Sequence, residues 1–332
     1  MKAIVQDRYG SPDVLAVEDV PRPVPADNQV LVRVHAAAVN AYDWHVMRGD
    51  PYLARLMNPS VFGRRGPRKR IRGRDFAGRV EAVGKEVTRF RAGDDVYGDL
   101  GGDDGAFAAY VCAAEDLLEH KPANLTFEEA AALPLAGTTA LKGLRDLGRL
   151  ASGQRVLING ASGGVGTFAV QIARASGAEV TGVCSTRNTG LVRSIGADHV
   201  IDYTEEDFTR GGQRYDVVFD LVGNRTLTEC RRVLGPTGTL VLSGGGVSDG
   251  GSLVGPMGLI LAGQLLAPFV RGQRLRVLTT SPSRESLTAL RELAESGAVT
   301  PVIDRTYPLG EVPEAIRYVE GEHARAKVVI TC

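Results

Sequence analysis

The chain has 332 residues, 43% of them apolar, with 41 glycines and 4 cysteines, and its 39 basic residues balance 39 acidic ones. This length and apolar content allow a sizeable core in one large or two ordinary domains and exclude a fibrous or disordered chain. The balanced charge excludes the general electrostatic attraction of a basic protein to nucleic acid or to an anionic membrane.

Short strands and turns are predicted for the first part of the chain. Alternation of apolar and polar residues favours a half-buried strand at residues 30–34. Further short strands, separated by glycine and charged residues, are predicted at 78–84, 94–98 and 109–113. We therefore expect an irregular, antiparallel, β-rich first domain.

The pattern changes near residue 125, where Thr126 and Glu129 form a capping-box signature. A helix at 165–177 then alternates with strands at 155–159, 179–183, 199–203, 216–222 and 239–244. This alternation predicts an α/β domain with a doubly wound parallel sheet. A final helix and the strand AKVVIT most simply return to the first domain. We predict one domain of residues 1–124 and 283–332 and a second of residues 125–282.

Cellular location and oligomeric state are predicted from the N-terminus, the apolar run, the cysteines and one edge strand. The N-terminus lacks a signal-peptide core, and the apolar run 253–270 is too short and interrupted to span a membrane. Few cysteines and no CxxC pair fit a reducing compartment. We expect a cytoplasmic protein with no membrane or nucleic-acid partner. Residues 275–280 predict an edge strand that pairs with its twin in a homodimer.

The strongest motif is the glycine-rich turn VLINGASGGVG, which lies between a predicted strand and a predicted helix. This context is typical of a dinucleotide-binding loop, in which glycines let the backbone approach a pyrophosphate at a helix N-terminus. Ala161 occupies the position of the first glycine in the usual GxGxxG pattern. The loop residues assigned to the cofactor are Gly160, Ser162, Gly163, Gly164, Val165 and Gly166.

The end of the second parallel strand indicates which dinucleotide binds. An NAD site uses an acidic residue there to hold the ribose 2′-hydroxyl. No acid occurs between Glu179 and Asp198, and the strand is followed by Ser185 and Arg187. Hydroxyl and guanidinium groups suit a 2′-phosphate. The sequence therefore predicts NADPH.

Several motifs together resemble the medium-chain dehydrogenase/reductase superfamily, in its zinc-independent quinone oxidoreductase branch. The resemblance covers nearly the whole chain and implies a GroES-like catalytic domain and a Rossmann domain. The motifs that carry it are MKAIV, AAAVNAYDWHVMRG (36–49), GRDFAGRVEAVG (73–84), AGTTAL (136–141), INGASGGVG (158–166), GADHVIDY (196–203) and AKVVI (326–330).

The resemblance also implies further cofactor contacts. Thr139 resembles the family's threonine near the nicotinamide. Tyr203 resembles the family residue that lies beside the adenosine phosphate. Lys327 resembles a family residue close to the cofactor, although Ala326 stands where relatives often have glycine. A doubly wound sheet binds its ligand at the ends of its parallel strands. The candidate cofactor residues at these ends are Leu221, Val222, Gly223, Ser243, Gly244 and Gly245.

Departures from the pattern of the zinc-dependent relatives predict that no metal is bound. Asn40 occupies the position at which the zinc-dependent relatives have a cysteine ligand. Arg74 and Asp75 replace the last two residues of their GHE motif, and Leu135 lies near the position of their second cysteine ligand. A catalytic zinc needs three ligands from His, Cys, Asp or Glu. Without a metal, a quinone or an α,β-unsaturated carbonyl is the easier hydride acceptor, since its anion is delocalised.

Candidate catalytic residues lie in segment 40–52. Asn40 is predicted to donate its amide N–H to the developing oxyanion. Tyr42 and Tyr52 are weaker candidates for proton donors, and Trp44 is a candidate wall of the substrate site. Each has an alternative role in packing. Two alternative functions remain: an enoyl or alcohol-type reductase of the same superfamily, and an NADPH-binding structural or redox-sensing protein with little turnover.

A basic run, RRGPRKRIRGR at residues 64–74, fits none of these patterns. A solvated loop is the favoured interpretation. The alternative is an anion site for an acidic or phosphorylated substrate.

Overall fold

The computed structural model describes residues 1–332 except 60, 64–65, 244–256 and 322–323. By their contacts these residues form two compact units, Met1–Thr138 with Ser281–Cys332, and Thr139–Thr280. We call them the first and the second unit. Among the described residues, no helix has the length and apolar character needed to cross a membrane.

The structure contains the predicted strands and helices, together with further elements that the pattern did not predict. The strands are β1 (Lys2–Gln6), β2 (Leu15–Asp19), β3 (Gln29–Val39), β4 (Asp75–Val83), β5 (Asp95–Asp99), β6 (Tyr110–Ala114), β7 (Leu118–His120), β8 (Arg155–Asn159), β9 (Glu179–Cys184), β10 (His199–Asp202), β11 (Tyr215–Asp220), β12 (Leu234–Leu242), β13 (Arg274–Val277), β14 (Ile303–Pro308) and β15 (Lys327–Thr331). The helices are α1 (Ala41–Arg48), α2 (Tyr52–Met57), α3 (Phe127–Ala132), α4 (Pro134–Leu141), α5 (Gly164–Ala175), α6 (Thr189–Ser194), α7 (Leu227–Arg232), α8 (Met257–Leu266), α9 (Arg284–Glu295) and α10 (Val312–Gly321).

The first unit is built on an antiparallel sheet, as predicted. Within the described residues its strand order is β14-β15-β3-β4-β5-β7, with β6 also paired to β3, and β14–β15 is the parallel pair. The C-terminal strand β15 pairs antiparallel with β3 through Val328–Val39 and its neighbours. This pairing joins the end of the chain to the first unit. Its apolar core includes Val32, Phe76, Phe107 and Ile330.

The second unit contains the doubly wound sheet. Over the part of the chain described, its strands lie in the order β10-β9-β8-β11-β12-β13, and every neighbouring pair is parallel. Parallel strands buried on both faces are continuously apolar, and Val156, Leu157 and Ile158 of β8 are fully buried. This architecture confirms the predicted fold class.

The unit boundaries fall at 138/139 and 280/281, whereas the sequence placed them at 124/125 and 282/283. The capping box of Thr126 and Glu129 forms as predicted and starts α3. However, the alanines of α3 pack against β3, β4 and β15, and Ala130, Ala131 and Ala132 are fully buried. Residues 125–138 therefore belong to the first unit, because burial rather than the change of pattern decides where they pack.

Of the apolar run 253–270, the structure describes the part that begins with α8. Its helix is not buried throughout, because Leu265 is 71% and Leu266 48% exposed. The strand predicted at 275–280 is β13, which is shifted to Arg274–Val277 and lies at one end of the strand order.

Candidate cofactor and substrate sites

The glycine-rich loop joins β8 to α5 in a compact turn. The N–H groups of Gly160 and Ala161 both donate to the carbonyl of Val183 on β9, at 3.1 and 3.0 Å. Gly160 has φ +88°, a conformation that side chains disfavour. A Cβ on Gly166 would lie 2.1 Å from the carbonyl oxygen of Gly160. The loop thus needs these two glycines to reach its close-packed shape.

The N-terminus of α5 opens toward this loop. Its N-cap residue is Gly163, which has no side chain with which to cap the first turn. The first N–H groups of a helix need partners from outside it, and together with the helix dipole they favour an anion. Gly164, Val165 and Ser162 are partly exposed here. The turn therefore fits a dinucleotide pyrophosphate.

The end of β9 carries the polar residues predicted to read the ribose. Ser185 is partly exposed and Arg187 exposed. The side chain of buried Asn188 donates to the hydroxyl oxygens of Ser162 and Ser185, at 3.1 and 3.3 Å. Sequence reasoning missed Asn188, whose signal was its position directly after the predicted residues. Tyr203, after β10, is 46% exposed.

Asp202, the last residue of β10, pairs in register with Cys184 at this strand end. Its carboxylate accepts from the backbone and the hydroxyl of Thr204, at 3.0 and 2.7 Å. Hydrogen bonds from Thr186 and Thr204 lower its pKa. Asp202 is not apparent from the residues that follow β9 in the chain, because it ends the neighbouring strand β10.

The ends of β8 and β11 are joined by a buried amide–carboxylate pair. Asn159 donates from Nδ2 to Asp220 Oδ1 at 2.9 Å, and the same oxygen accepts from the N–H groups of Val222 and Gly223, at 3.1 and 3.0 Å. Asp220 therefore fixes the loop that contains the predicted residues Leu221, Val222 and Gly223. Asp220 and Asn159 were both missed as site residues.

Two further predicted positions can be compared with the structure. Thr139 shares a hydroxyl hydrogen bond with Thr280 at 3.3 Å, and Ser243 donates its N–H to the carbonyl of Asp220 at 3.0 Å. Gly244 and Gly245 lie outside the described residues.

Asn40, in the first unit, lies in a buried polar cluster. Its Oδ1 accepts from Lys327 Nζ at 2.5 Å, and its Nδ2 donates to Asp75 Oδ2 at 3.0 Å and to the carbonyl of Ala38 at 3.3 Å. Since an ammonium only donates and a carboxylate only accepts, these partners determine the amide orientation. Both N–H bonds of the Asn40 amide have acceptors here, the second a long one, and the predicted donation to an oxyanion stays a prediction.

Burial shapes the ionisation of this cluster. Burial and repulsion from Asp99 raise the pKa of Asp75, and burial lowers the pKa of Lys327. Their charged atoms lie 3.9 Å apart. Asp43, whose Oδ2 accepts from the Asn40 N–H at 2.7 Å, has its pKa raised by burial to about 6.

Three of the positions that correspond to the zinc-ligand region of the relatives, Asn40, Asp75 and Leu135, are joined by hydrogen bonds. Asp75 accepts from the N–H of Leu135 at 3.2 Å as well as from Asn40, and Arg74 binds Asp99 through two bonds of 2.8 and 2.7 Å. Among the residues that the structure describes, no group of three His, Cys, Asp or Glu side chains is arranged to hold a metal ion. An amide, an ammonium and an ion-paired guanidinium are the groups present instead.

The three aromatic candidates have different environments. Trp44 is 7% exposed, belongs to the first unit's core and stacks on His45, so it packs rather than lines an open surface. Tyr42 lies under the guanidinium of Arg74, with a buried hydroxyl that has no partner among the described residues, and burial raises its pKa. Tyr52 is 48% exposed and contacts Arg55.

The described part of the basic run divides into an exposed portion, which includes Arg68 and Arg70, and a buried portion, Arg72 and Arg74. A nearby acidic segment, residues 99–104, supplies Asp103 to Lys69 and Asp104 to Arg72, both at 2.9 Å. Arg70 binds Asp7. The side chains of Arg72 and Asp104 are each only 1% exposed. The solvated-loop interpretation is therefore wrong for Arg72, which is buried in an ion pair, while Arg68 and Arg70 are exposed. Arg64 and Arg65 lie outside the described residues.

Comparison with known proteins agrees with this architecture. Residues 26–123 match the family described as alcohol dehydrogenase GroES-like domain, and residues 195–330 match the one described as zinc-binding dehydrogenase. The chain is 36% identical to the mitochondrial NAD(P)H oxidoreductase RTN4IP1 of Mus musculus, over 99% of this chain and 89% of that protein. It is also 36% identical to 2-methylene-furan-3-one reductase of Solanum lycopersicum, over 99% and 79%.

Solved structures agree as well. The quinone oxidoreductase of Coxiella burnetii has a TM-score of 0.85 and 32% identity, covering 100% of this chain and 99% of that one. The Escherichia coli quinone oxidoreductase complexed with NADPH has a TM-score of 0.81 and 26% identity, with full coverage of both. The chain therefore belongs to the medium-chain dehydrogenase/reductase superfamily, in its quinone oxidoreductase branch. It is an oxidoreductase, and the predicted family is confirmed.

Proposed function

We propose that this enzyme reduces a quinone or an α,β-unsaturated carbonyl compound with NADPH. The observation that carries the proposal is the second unit's turn from β8 to α5, with its glycine N-cap and the hydroxyl groups of Ser162 and Ser185 beside it. Relatives named quinone oxidoreductase and 2-methylene-furan-3-one reductase support this substrate class. NADPH, when bound, supplies the hydride.

The predicted cofactor residues fit the phosphates of NADPH. The loop and α5 N-terminus offer backbone N–H groups to the pyrophosphate, and Ser185 with Arg187 offers donors to the 2′-phosphate. Thr139, Tyr203, Leu221, Val222, Gly223 and Ser243 remain proposed contacts. Lys327 is proposed instead to act through Asn40, because its ammonium donates to Asn40 and to the carbonyl of Val39.

We infer that the reaction needs no zinc. Asp75, the one acidic group among the compared positions, already accepts from Asn40 and Leu135. The long bond from Asn40 Nδ2 to Ala38 is the one a substrate oxygen can replace. Lys327 at the amide oxygen draws electron density from the amide and strengthens Nδ2 as a donor. Asn40 is therefore proposed to stabilise the oxyanion formed by hydride addition.

The experiment is a turnover assay with purified protein. NADPH oxidation is followed by its absorbance with a panel of quinones and enones, and NADP⁺ reduction is followed with alcohols. We expect turnover of the first panel alone, without stoichiometric zinc in the protein. Turnover of alcohols would favour the alcohol-type alternative, and NADPH binding with no turnover would favour a structural or redox-sensing protein.

Asn40 is tested separately. Removal of one oxyanion donor lowers kcat by about 10²-fold, and we expect this for Asn40→Ala with an unchanged Kd for NADPH. Asn28→Ala, at an exposed position, is the control. An unaltered kcat in Asn40→Ala would exclude the oxyanion role.

A homodimer and a cytoplasmic location are further proposals. The end position of β13 in its strand order and the exposed Leu265 and Leu266 of α8 support pairing of two copies. Light scattering of the eluting protein tests the assembly, and a monomeric mass would contradict it. Free thiols at all four cysteines fit a reducing compartment; fractionation of cells that produce the protein tests the location.

A further inference from the structure

The side chain of Asn188 makes hydrogen bonds that differ from those expected of an N-cap asparagine. Asn188 is the N-cap residue of α6, where asparagine normally caps the first turn, yet its side chain makes no capping bond. Instead its Nδ2 donates to Ser162 Oγ at 3.1 Å and to Ser185 Oγ at 3.3 Å. The residue is 4% exposed, so this amide is directed into the protein.

Stability alone does not account for this arrangement. Oδ1 of Asn188 is buried and has no hydrogen-bond partner among the described residues. A buried, unpartnered carbonyl oxygen costs free energy. An arrangement that the fold does not require is often retained for function.

The direction of the two hydrogen bonds has a chemical consequence. Each serine oxygen accepts from Asn188, so each hydroxyl hydrogen is left to donate elsewhere. A phosphate oxygen accepts hydrogen bonds and does not donate them when ionised. With the amide reversed, both serines would donate to Asn188 and present only lone pairs to an anion. The observed direction is therefore the one that suits anionic ligands.

We propose that Asn188 is a positioning residue that turns two serine hydroxyls toward two different phosphates of NADPH. Ser162 lies in the loop before α5 and donates to the pyrophosphate, whereas Ser185 lies at the end of β9 and donates to the 2′-phosphate. Because one amide orients both hydroxyls, it couples the general phosphate site to the one that separates NADPH from NADH. This inference rests on the proposed use of NADPH.

Binding measured by calorimetry tests the assignment without turnover. A hydrogen bond to a charged group corresponds to roughly tenfold or more in affinity. We expect Ser185→Ala to weaken NADPH about tenfold and to leave NADH nearly unchanged. Ser162→Ala should weaken both equally, and Asn188→Leu should weaken both, NADPH the more. In Asn188→Leu/Ser185→Ala the two effects on NADPH should not add.

Asn188→Asp is the second variant, since it keeps the size of the side chain. Its carboxylate accepts from both serines and repels phosphate, so we expect a larger loss of affinity than in Asn188→Leu. Ser194→Ala, an exposed serine of α6, is the matched control and should bind both nucleotides normally. Circular dichroism confirms that each variant is folded.

The outcomes separate this inference from the proposed function. Wild-type affinity for NADPH in both Asn188 variants, or fully additive effects in the double variant, would overturn the role of Asn188 while NADPH-dependent turnover stands. Coupled effects in a protein that reduces no quinone or enone would support Asn188 and contradict the reaction. A wild type that does not bind NADPH would overturn both.

Discussion

The two units treat buried polar groups in opposite ways. In the first unit, Lys327, Asn40, Asp75 and Leu135 bind one another, and Arg74 is held by Asp99. In the second unit, the helix N-cap is a glycine and two serine hydroxyls accept from Asn188. The first arrangement compensates its charges internally, whereas the second leaves donors for an anion. Substitutions that break the charge pairs of the first unit should therefore lower stability, whereas those that remove donors from the loop of the second unit should lower cofactor affinity.

Lys327→Met should produce the largest effect. It leaves the carboxylate of Asp75 buried without its cation, and breaking such a pair costs about 3–5 kcal/mol. Urea unfolding should show this loss, and Asp75→Asn/Lys327→Met should recover part of it because no uncompensated charge remains. Equal stability of the single and double variants would contradict the internal compensation.

Asp43→Asn should change how stability depends on pH. Burial raises the pKa of Asp43 from 3.8 to about 6, so the neutral form is favoured in the folded chain. The contribution of Asp43 to the free energy of unfolding is therefore complete below pH 3.8 and is lost as the pH rises through about 6. Relative to wild type, Asp43→Asn should gain up to about 3 kcal/mol across this window. Asp116→Asn, at an exposed position, is the control; the same gain there would contradict the burial argument.

Gly166→Ala should act on the second unit. The added Cβ meets the carbonyl oxygen of Gly160 at 2.1 Å, and relieving such a clash costs about 1–3 kcal/mol. Because this loop is the proposed pyrophosphate site, the Kd for NADPH should rise as well. Gly190→Ala is the matched control, since nothing lies within 4 Å of its Cβ. Normal NADPH binding by Gly166→Ala would argue against this loop as the site.

Ala326→Gly should produce the smallest effect, and in the opposite direction. Ala326 has φ +53°, a left-handed conformation that costs a non-glycine residue about 1 kcal/mol. Glycine removes this strain and adds freedom to the unfolded chain, so a gain below about 1 kcal/mol is expected. Thermal unfolding measures it, and a loss of stability would show that the neighbouring contacts of Ala326 outweigh its strain.

Regular elements were predictable because local periodicity encodes them. The strand at 155–159 and the capping box of α3 occur where the pattern placed them. The glycine loop was predictable for the same reason, as its sequence neighbours form its shape. The partners of the basic run were not, because residues 99–104 reach Lys69, Arg72 and Arg74 only through the sheet.

By itself, the sequence determined the alternation of elements, the glycine-rich loop between β8 and α5 and the superfamily, since these depend on residues close together in the chain. Only the tertiary structure decided what the polar side chains do. Asn40 is separated from Lys327 by most of the chain, yet Lys327 and Asp75 decide which way its amide points. A hydrogen bond has a donor and an acceptor, and the sequence alone does not show which partner the fold brings within reach.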